Sequence, residues 1–222
     1  MFVGHFAVAL AAKKVTPRLS LPLLFGAVQL LDILWPLFIV TGIEHARITP
    51  GFTAASPLEL YDFPISHSLL MSLVWSAVLA APFLLRRRVR EGLVLAGCVF
   101  SHYVLDFVTH KPDLPLLPGG QARLGLGLWD HLVASIVVES ALFLGGIAIY
   151  LRATRATGRA GTIGFALFMV VLAAAWLSGA FAPPPPDIMT VGVSALVAIP
   201  LILLWAWFVD RRRPPRVETT AV

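Results

Sequence analysis

Charged residues and cysteine are both scarce in this chain. Asp, Glu, Lys and Arg make up 13% of its 222 residues, whereas hydrophobic residues make up 58%. The single cysteine, Cys98, excludes an intramolecular disulfide framework and a thiolate metal site. Its position inside an apolar run indicates a small buried side chain. Together with a mean hydropathy of +0.86, this composition predicts a membrane protein.

The net charge of +5 does not indicate a nucleic-acid ligand. The basic residues form short clusters between apolar runs, which is the distribution that membrane topology requires. No basic segment precedes the apolar residues 1–12, and Lys13 and Lys14 follow them. A signal peptide has the opposite order, so we expect residues 1–12 to belong to the mature fold.

Six apolar runs are long enough to cross a bilayer at about 1.5 Å per helical residue. They cover residues 19–43, 64–85, 91–110, 129–151, 161–182 and 187–209. Pro36 predicts a kink in the first run. Residues 1–12 are too short to span, which predicts a half-membrane, re-entrant or core helix. The expected fold class is therefore all-α, a polytopic membrane protein with about six transmembrane helices and a short N-terminal half-membrane helix.

We expect one membrane domain over residues 1–210 and a cytoplasmic tail over residues 211–222. Ionisable residues inside the runs concentrate in about the first 140 positions, whereas residues 161–209 contain only the boundary residue Asp187. These last two runs are predicted to pack against the others or to form a homo-oligomer contact. Gly145-Gly146 permits close helix approach on the fourth run.

Basic residues also predict the orientation. The loops at 13–18, 86–90, 152–159 and 211–216 hold three, four, three and four Lys or Arg, whereas those at 44–63 and 111–126 hold one and two. The two sets alternate along the chain. Because basic loops face the cytoplasm, the C-terminus is predicted to be cytoplasmic.

His102, Asp106 and His110 are spaced at i, i+4 and i+8 near the outer end of the third run. Since a helix has 3.6 residues per turn, all three can fall on one face. Two imidazoles and a carboxylate are typical ligands of a divalent metal, and such groups are too costly in a membrane without partners. This face is predicted to form part of a metal or proton-relay site.

Three residues on other segments reach a similar depth: His5, Asp32 and His67. Any one of them could instead hydrogen-bond to a neighbouring helix, but the group as a whole favours a metal site. Nitrogen and oxygen ligands without thiolate suit Zn, with Mn and Fe as alternatives. The predicted ligands of this divalent ion are His5, Asp32, His67, His102 and Asp106.

Two residues are candidates for catalytic proton transfer, Glu139 and His110. Glu139 lies deep in the fourth run, where it could be a general base, an orienter of a metal-bound histidine or a helix–helix hydrogen-bond partner. His110 lies at the membrane edge. Asp130 and His131 begin the fourth run beside Trp129, where they are either solvated at the interface or part of the site.

The run G-C-V-F-S-H-Y-V-L-D-F-V-T, followed by P-L-L-P, resembles the signature of the bacterial membrane-bound, metal-dependent hydrolases, also labelled LexA-binding, inner-membrane-associated hydrolases. The resemblance covers about residues 1–120 and implies a bacterial inner-membrane location and a hydrolytic activity. The family's motifs match, in order, Gly4-His5, Leu31-Asp32, Ser66-His67-Ser68, and Ser101-His102 with Asp106 and Thr109.

The chain departs from that family pattern in two places. Leu34 and Trp35 stand where the family has a second Asp and a His, and Asp62 replaces a family His. These changes imply a one-metal site, or Asp62 and His110 as substitute ligands. More loosely, H-x-x-x-D is similar to zinc-dependent phospholipase C and nuclease sites, an analogy that points to phosphoester chemistry.

The predicted function is metal-dependent hydrolysis of an ester or phosphoester in the outer half of the membrane. That depth favours a lipid or lipid-linked substrate. One alternative is a metal-ion or proton-coupled transporter that uses the same His and Asp residues, and another is a non-catalytic scaffold with a structural metal. A transporter would place polar groups toward both faces, whereas residues 92–98 of the third run are apolar.

Overall fold

The computed structural model describes residues 1–216 and is mostly helical. The first half contains α1 (Val3–Val15), α2 (Leu21–Val28), α3 (Leu30–Val40), β1 (His45–Ile48), β2 (Leu58–Asp62), α4 (Pro64–His67), α5 (Leu69–Leu85) and α6 (Val89–Thr109). The second half contains β3 (Leu114–Pro115), β4 (Arg123–Leu124), a 3-10 turn (Leu128–Asp130), α7 (Leu132–Ala153), α8 (Arg159–Phe181) and α9 (Ile188–Arg212).

Within residues 1–216, four helices are each long and apolar enough to cross a membrane: α6, α7, α8 and α9. Helices α2 and α3 meet this standard only as a pair bent by 58°, which would make a fifth span. The bend lies at Gln29, between the two helices, rather than at Pro36. Pro36 lies inside α3 and does not interrupt it. The run predicted at 64–85 is also divided, because Ser68 is extended between α4 and the 17-residue helix α5.

The bundle is apolar on its outside and polar at several points inside. Val133, Leu144 and Val197 expose 77%, 65% and 59% of their surface, whereas His5 and His102 are fully buried. A water-soluble protein distributes these residue types in the opposite way. Apolar exteriors with ionisable groups turned inward are typical of helix bundles in lipid.

The segments between the helices contain two small antiparallel hairpins, which the all-α prediction omits. In the first, Arg47 pairs with Glu59, and hydrogen bonds from Arg47 and Thr49 lower the pKa of Glu59 to about 2. The second joins β3 to β4. The hairpins form because alternate residues such as Ala46 and Leu60 are buried in a small apolar cluster. The part of the molecule that carries them is called the hairpin end.

The opposite end carries the basic clusters and is called the basic end. There, the buried Lys13 ammonium donates to Asp210 Oδ1 and to the Leu19 carbonyl, both at 2.7 Å. The predicted tail begins inside α9, which continues to Arg212. The backbone N–H of Arg216 then donates to the Ala153 carbonyl at 2.9 Å. The remaining six residues of that predicted tail lie outside the described part of the chain.

Helix α1 lies at the centre of the bundle. Val3, Phe6 and Leu10 are buried in the main core, which also contains residues of α2, α6, α7, α8 and α9. Helix α7 approaches α1 closely at Gly146, where an added Cβ would lie 2.6 Å from the Ala7 carbonyl oxygen. A short apolar helix enclosed in this way has its backbone groups paired and its side chains buried. It therefore holds His5 in a defined position.

Candidate metal centre

Four segments of the chain converge in the half of the bundle nearer the hairpin end. The five residues predicted as metal ligands lie together there, on α1, α3, α4 and α6. Asp106 is central, because its Oδ1 lies 3.2 Å from His5 Nε2 and its Oδ2 lies 3.1 Å from His102 Nε2. Its Oδ2 is also 3.8 Å from His67 Nε2.

Asp32 closes the cluster from the other side. Its Oδ1 lies 3.5 Å from His67 Nε2 and 3.6 Å from His102 Nε2. The side chain of Asp32 is 34% accessible, whereas those of the other four are at most 5% accessible. Asp32 is therefore the member of the cluster most open to a cavity beside it.

Ligand atoms of two overlapping groups could each hold a metal ion. One group is His5, His102 and Asp106, the other is Asp32, His67 and His102, and within each group the ligand atoms lie within 4.8 Å of one another. Both groups use His102. Since its Nδ1 donates to the Val28 carbonyl at 2.7 Å, only Nε2 is free to bind an ion. This sharing favours one metal centre over two separate ones.

Unsatisfied nitrogens in the cluster indicate that a cation fits. His102 Nε2 and both ring nitrogens of His5 are buried and have no hydrogen-bond partner of good geometry within residues 1–216. Buried polar atoms are rarely left in that state. The separations of 3.1–3.8 Å are near the value of about 3.3 Å expected between ligands of a tetrahedral ion with bonds of about 2.0 Å.

The charge of the cluster also suits a divalent cation. Two carboxylates supply two negative charges, and three neutral imidazoles complete a nitrogen and oxygen donor set of the kind that Zn, Mn and Fe accept. The amino group of Met1 lies 2.6 Å from Asp106 Oδ1. That ammonium offsets one of the two negative charges.

The break between α2 and α3 orients His102. Val28 is the last residue of α2, so its carbonyl is one of the four at the helix end that have no intrahelical donor. It accepts the Nδ1 proton of His102 instead. This bond fixes the tautomer that leaves Nε2 with its lone pair directed toward the carboxylates.

A second chain of hydrogen bonds orients His67. Glu44 is buried and accepts from the backbone N–H groups of Ile65 and Ser66, each at 2.7 Å. The Ser66 hydroxyl donates to Glu44 Oε2 at 2.5 Å and lies 2.7 Å from His67 Nδ1. Because an ionised carboxylate only accepts, the Ser66 proton is committed to Glu44 and the Ser66 oxygen accepts from His67 Nδ1. The Nε2 of His67 is then free for a metal.

We expect the substitution Glu44→Gln to lower metal affinity about 10- to 100-fold, the usual cost of losing an outer partner of a metal ligand. The amide would present N–H groups to Ser66, whose proton could then turn to His67 Nδ1 and favour the tautomer that cannot bind. Titration of the purified protein with Zn²⁺ measures this. Glu59→Gln, on the exposed face of the first hairpin, is the matched control and should leave affinity unchanged. Equal affinities for the two variants would contradict the proposed role of Glu44.

Neither residue predicted for proton transfer lies within the cluster itself. Glu139 is buried, and its Oε2 accepts from the backbone N–H of Phe2 at 2.9 Å and of Gly4 at 3.5 Å, so it caps the start of α1. His110 Nδ1 lies 3.0 Å from Asp113 Oδ1, and its ring packs 4.5 Å from Trp129. Both residues nevertheless line the same cavity as Asp32 and Asp106.

His110 leaves the face shared by His102 and Asp106 because the helix stops one residue earlier. Helix α6 ends at Thr109, and His110 has the extended backbone angles φ −67° and ψ 150°. Asp62, the other substitute ligand implied by the family resemblance, pairs with His45 at 2.9 Å on the exposed hairpin. Neither residue replaces a member of the cluster.

Asp130 and His131 lie at the surface of the hairpin end. Asp130 is 3.2 Å from Lys111 Nζ, with 40% of its side chain accessible, and His131 is exposed. This agrees with the interpretation of both as solvated interfacial residues.

Sequence reasoning missed Glu44 and the Val28 carbonyl. Glu44 follows an apolar run directly and looks like an ordinary loop carboxylate. A backbone carbonyl has no sequence signal beyond the helix break that frees it.

A cavity of about 1390 Å³ lies beside the cluster. Asp32, His67, Asp106 and Glu139 form its polar wall, and α7, α8 and α9 supply most of the rest, which is apolar. The cluster therefore has access to a space large enough for an organic ligand.

Comparisons with known proteins found no similar chain. No family model matches the sequence, and no curated protein or solved structure matches it significantly. The class of site rests on its geometry alone, and the family resemblance stays a prediction.

Proposed function

We propose that this chain is a membrane-embedded, metal-dependent hydrolase that cleaves an ester or phosphoester bond, with a lipid-linked molecule as substrate. The observation that carries the proposal is the convergence of three histidines and two carboxylates at the wall of a large, mostly apolar cavity. Ionisable groups are expensive inside a membrane bundle and are typically retained for function.

The ligands in this proposal are His5, Asp32, His67, His102 and Asp106, and Zn²⁺ is the preferred ion, with Mn²⁺ or Fe²⁺ as alternatives. A bound divalent ion would polarise the ester oxygen. It would also lower the pKa of a bound water molecule, which would supply a nucleophile at neutral pH. The imidazoles of His102 and His67 are held in the binding tautomer by the Val28 carbonyl and by the Glu44–Ser66 pair, respectively.

Glu139 is assigned the proton transfer. It faces the cavity, and only its Oε2 takes part in the hydrogen bonds to α1. In hydrolysis, the oxygen of water bonds to the acyl carbon or phosphorus, and the bond from that atom to the ester oxygen breaks. Glu139 takes the proton from water and returns it to the leaving alcohol, so that one acid and one alcohol are formed.

The proposed location is the bacterial inner membrane, with six crossings and a cytoplasmic C-terminus. The alternation of basic and hairpin ends along the chain supports this topology, with the bent α2–α3 pair and the α4–α5 pair each counted as one crossing. The metal centre then faces the outer half of the membrane.

The rival proposal is a metal-ion or proton-coupled transporter. A transport path would need polar groups from the centre to the basic end. Between the cluster and the buried Lys13–Asp210 pair at that end, α1 instead presents Phe6 and Leu10 to the core, and α6 presents Leu95. This apolar interval favours the hydrolase.

Activity measurements on the purified protein in lipid nanodiscs test the proposal. We expect Zn²⁺, Mn²⁺ or Fe²⁺ to support hydrolysis within a panel of p-nitrophenyl esters and phosphodiesters. Glu139→Gln keeps an acceptor oxygen for Phe2 and should lower kcat by about 10²-fold or more. Glu91→Gln, at the basic end, is the control. Metal flux into proteoliposomes, without hydrolysis of any member of the panel, would contradict the hydrolase proposal and support the transporter.

A further inference from the structure

The cavity beside the metal centre extends along α8 for most of that helix. Its lining includes residues from Ala160 near the start of α8 to Gly179 near its end, recurring mainly every three or four positions. This spacing places them on one face of the helix. The cavity is therefore a long groove, and its polar wall lies at the metal centre.

Helices α8 and α9 are in direct contact beside the part of the groove nearer the basic end. An added Cβ at Gly164 would lie 2.7 Å from the Phe208 ring, and Trp205 Nε1 donates to the Gly164 carbonyl at 3.1 Å. The Phe168 and Trp205 rings stack 5.2 Å apart. Helices α8 and α9 are thus packed tightly in this half.

The groove is open toward the hairpin end, the half that also contains the metal centre. An added Cβ at Gly179 would meet no atom within 4 Å. Val171 lines the groove and yet exposes 47% of its surface, and Ala175 and Ser178 of the same lining are also exposed. Residues that belong to both the cavity wall and the outer surface mark an opening in the side of the bundle.

The lining determines which kind of molecule fits. The groove exceeds the range of about 300–1,000 Å³ for pockets that enclose drug-sized ligands, and apart from its polar wall it is apolar. A peptide would leave backbone groups unpaired there, and water gains few hydrogen bonds in apolar space. A molecule with one polar linkage and a long hydrocarbon chain matches the groove, because the linkage can lie at the polar wall and the chain along the apolar lining.

We infer that this groove is a lateral entry site for a membrane lipid, beside the hairpin-end half of α8. The lipid's hydrocarbon chain lies between α8, α9 and α7, and its ester or phosphoester linkage lies at Asp32 and Glu139. This inference rests on the proposed hydrolase function for the identity of the scissile bond. The binding of the chain is a separate property of the groove.

Photo-crosslinking tests the lipid site without relying on activity. The protein is placed in nanodiscs of phosphatidylethanolamine and phosphatidylglycerol that contain a phospholipid with a diazirine in its acyl chain. We expect crosslinks on the groove face of α8, including Leu167 and Val171. Val171→Trp, which fills the groove, should reduce these crosslinks about tenfold, an effect of about 1.4 kcal/mol.

Val170→Trp is the matched control, because Val170 is the preceding residue, is 63% exposed and lies outside the groove. It should leave crosslinking in the groove unchanged. Crosslinks confined to the outer surface, or reduced equally by both tryptophans, would overturn the inference.

A kinetic comparison separates this inference from the proposed function. Val171→Trp should raise KM for a long-chain ester about tenfold, an effect of about 1.4 kcal/mol, and leave hydrolysis of p-nitrophenyl acetate unchanged. Hydrolysis of the short ester without groove crosslinks would overturn the lipid site and leave the hydrolase standing. Crosslinks that Val171→Trp removes, without hydrolysis of any ester, would support the lipid site and overturn the hydrolase.

Discussion

Replacing His102 by alanine should abolish stoichiometric metal binding. His102 belongs to both candidate ligand groups, and its Nε2 lies 3.1 Å from Asp106 and 3.6 Å from Asp32. Its loss would leave the two carboxylates close to each other and would remove a metal ligand from both groups. Elemental analysis of purified protein should show one divalent ion per wild-type chain and background levels for the variant.

The same substitution should remove stabilisation by metal. A ligand at 100 times its Kd stabilises the folded state by about 2.7 kcal/mol, which corresponds to a rise in Tm of about 5–10 °C for a chain of this size. Wild-type protein should show this rise on addition of Zn²⁺, and His102→Ala should show none.

Two exposed histidines provide controls. His45→Ala and His131→Ala alter residues at the surface of the hairpin end and should retain full metal content. If His102→Ala does not fold, Asp32→Asn serves instead, because Asp32 is the most accessible member of the cluster. A wild-type protein without stoichiometric metal, or variants that keep it, would contradict the metal centre.

The second large effect is expected at Gly146. A Cβ there would lie 2.6 Å from the carbonyl oxygen of Ala7 and 2.7 Å from its Cα, and both are backbone atoms that cannot rotate away. Gly146→Ala must therefore separate α7 from α1, at a cost of about 1–3 kcal/mol. We expect the Tm to fall by about 3–10 °C in thermal unfolding. Metal affinity should fall with it, because Ala7 lies two residues from His5.

Gly145→Ala is the matched control for this experiment. An added Cβ at Gly145 would meet no atom within 4 Å, and alanine is favoured over glycine in a helix by about 0.5–1 kcal/mol. This variant should be as stable as the wild type or slightly more stable. If the two alanine variants melt alike, the close contact between α1 and α7 is wrong.

Much of the helical architecture follows from the sequence because hydrophobic length is a local property. The runs beginning near residues 91, 161 and 187 became single helices with ends within a few residues of those predicted. The runs at 19–43 and 64–85 did not, because each is interrupted at a residue beside the metal centre. Gln29 follows the carbonyl that holds His102, and Ser68 follows His67. Tertiary contacts at the site thus compete with helical continuity.

The candidate site, like the helices, was predicted correctly from the sequence only in part. The i, i+4 spacing placed His102 and Asp106 on one helix face, since helical geometry is fixed over a single turn. The same rule failed for His110, because the helix ended first. Glu139 was predicted as a base or orienter or as a helix partner, and its contacts show it capping α1.

By itself the sequence determined that apolar helices predominate, that the ionisable residues inside the apolar runs concentrate in about the first 140 positions, and which His and Asp residues were candidate ligands. Only the tertiary structure decided that His5, Asp32 and His67 meet the α6 pair, that Glu44 reaches Ser66 from another segment, and that α7, α8 and α9 leave a groove beside them. The physical reason is that hydrophobicity and helical periodicity act between near neighbours in the chain. The meeting of a helix end, a loop carboxylate and a distant imidazole depends on how whole elements pack.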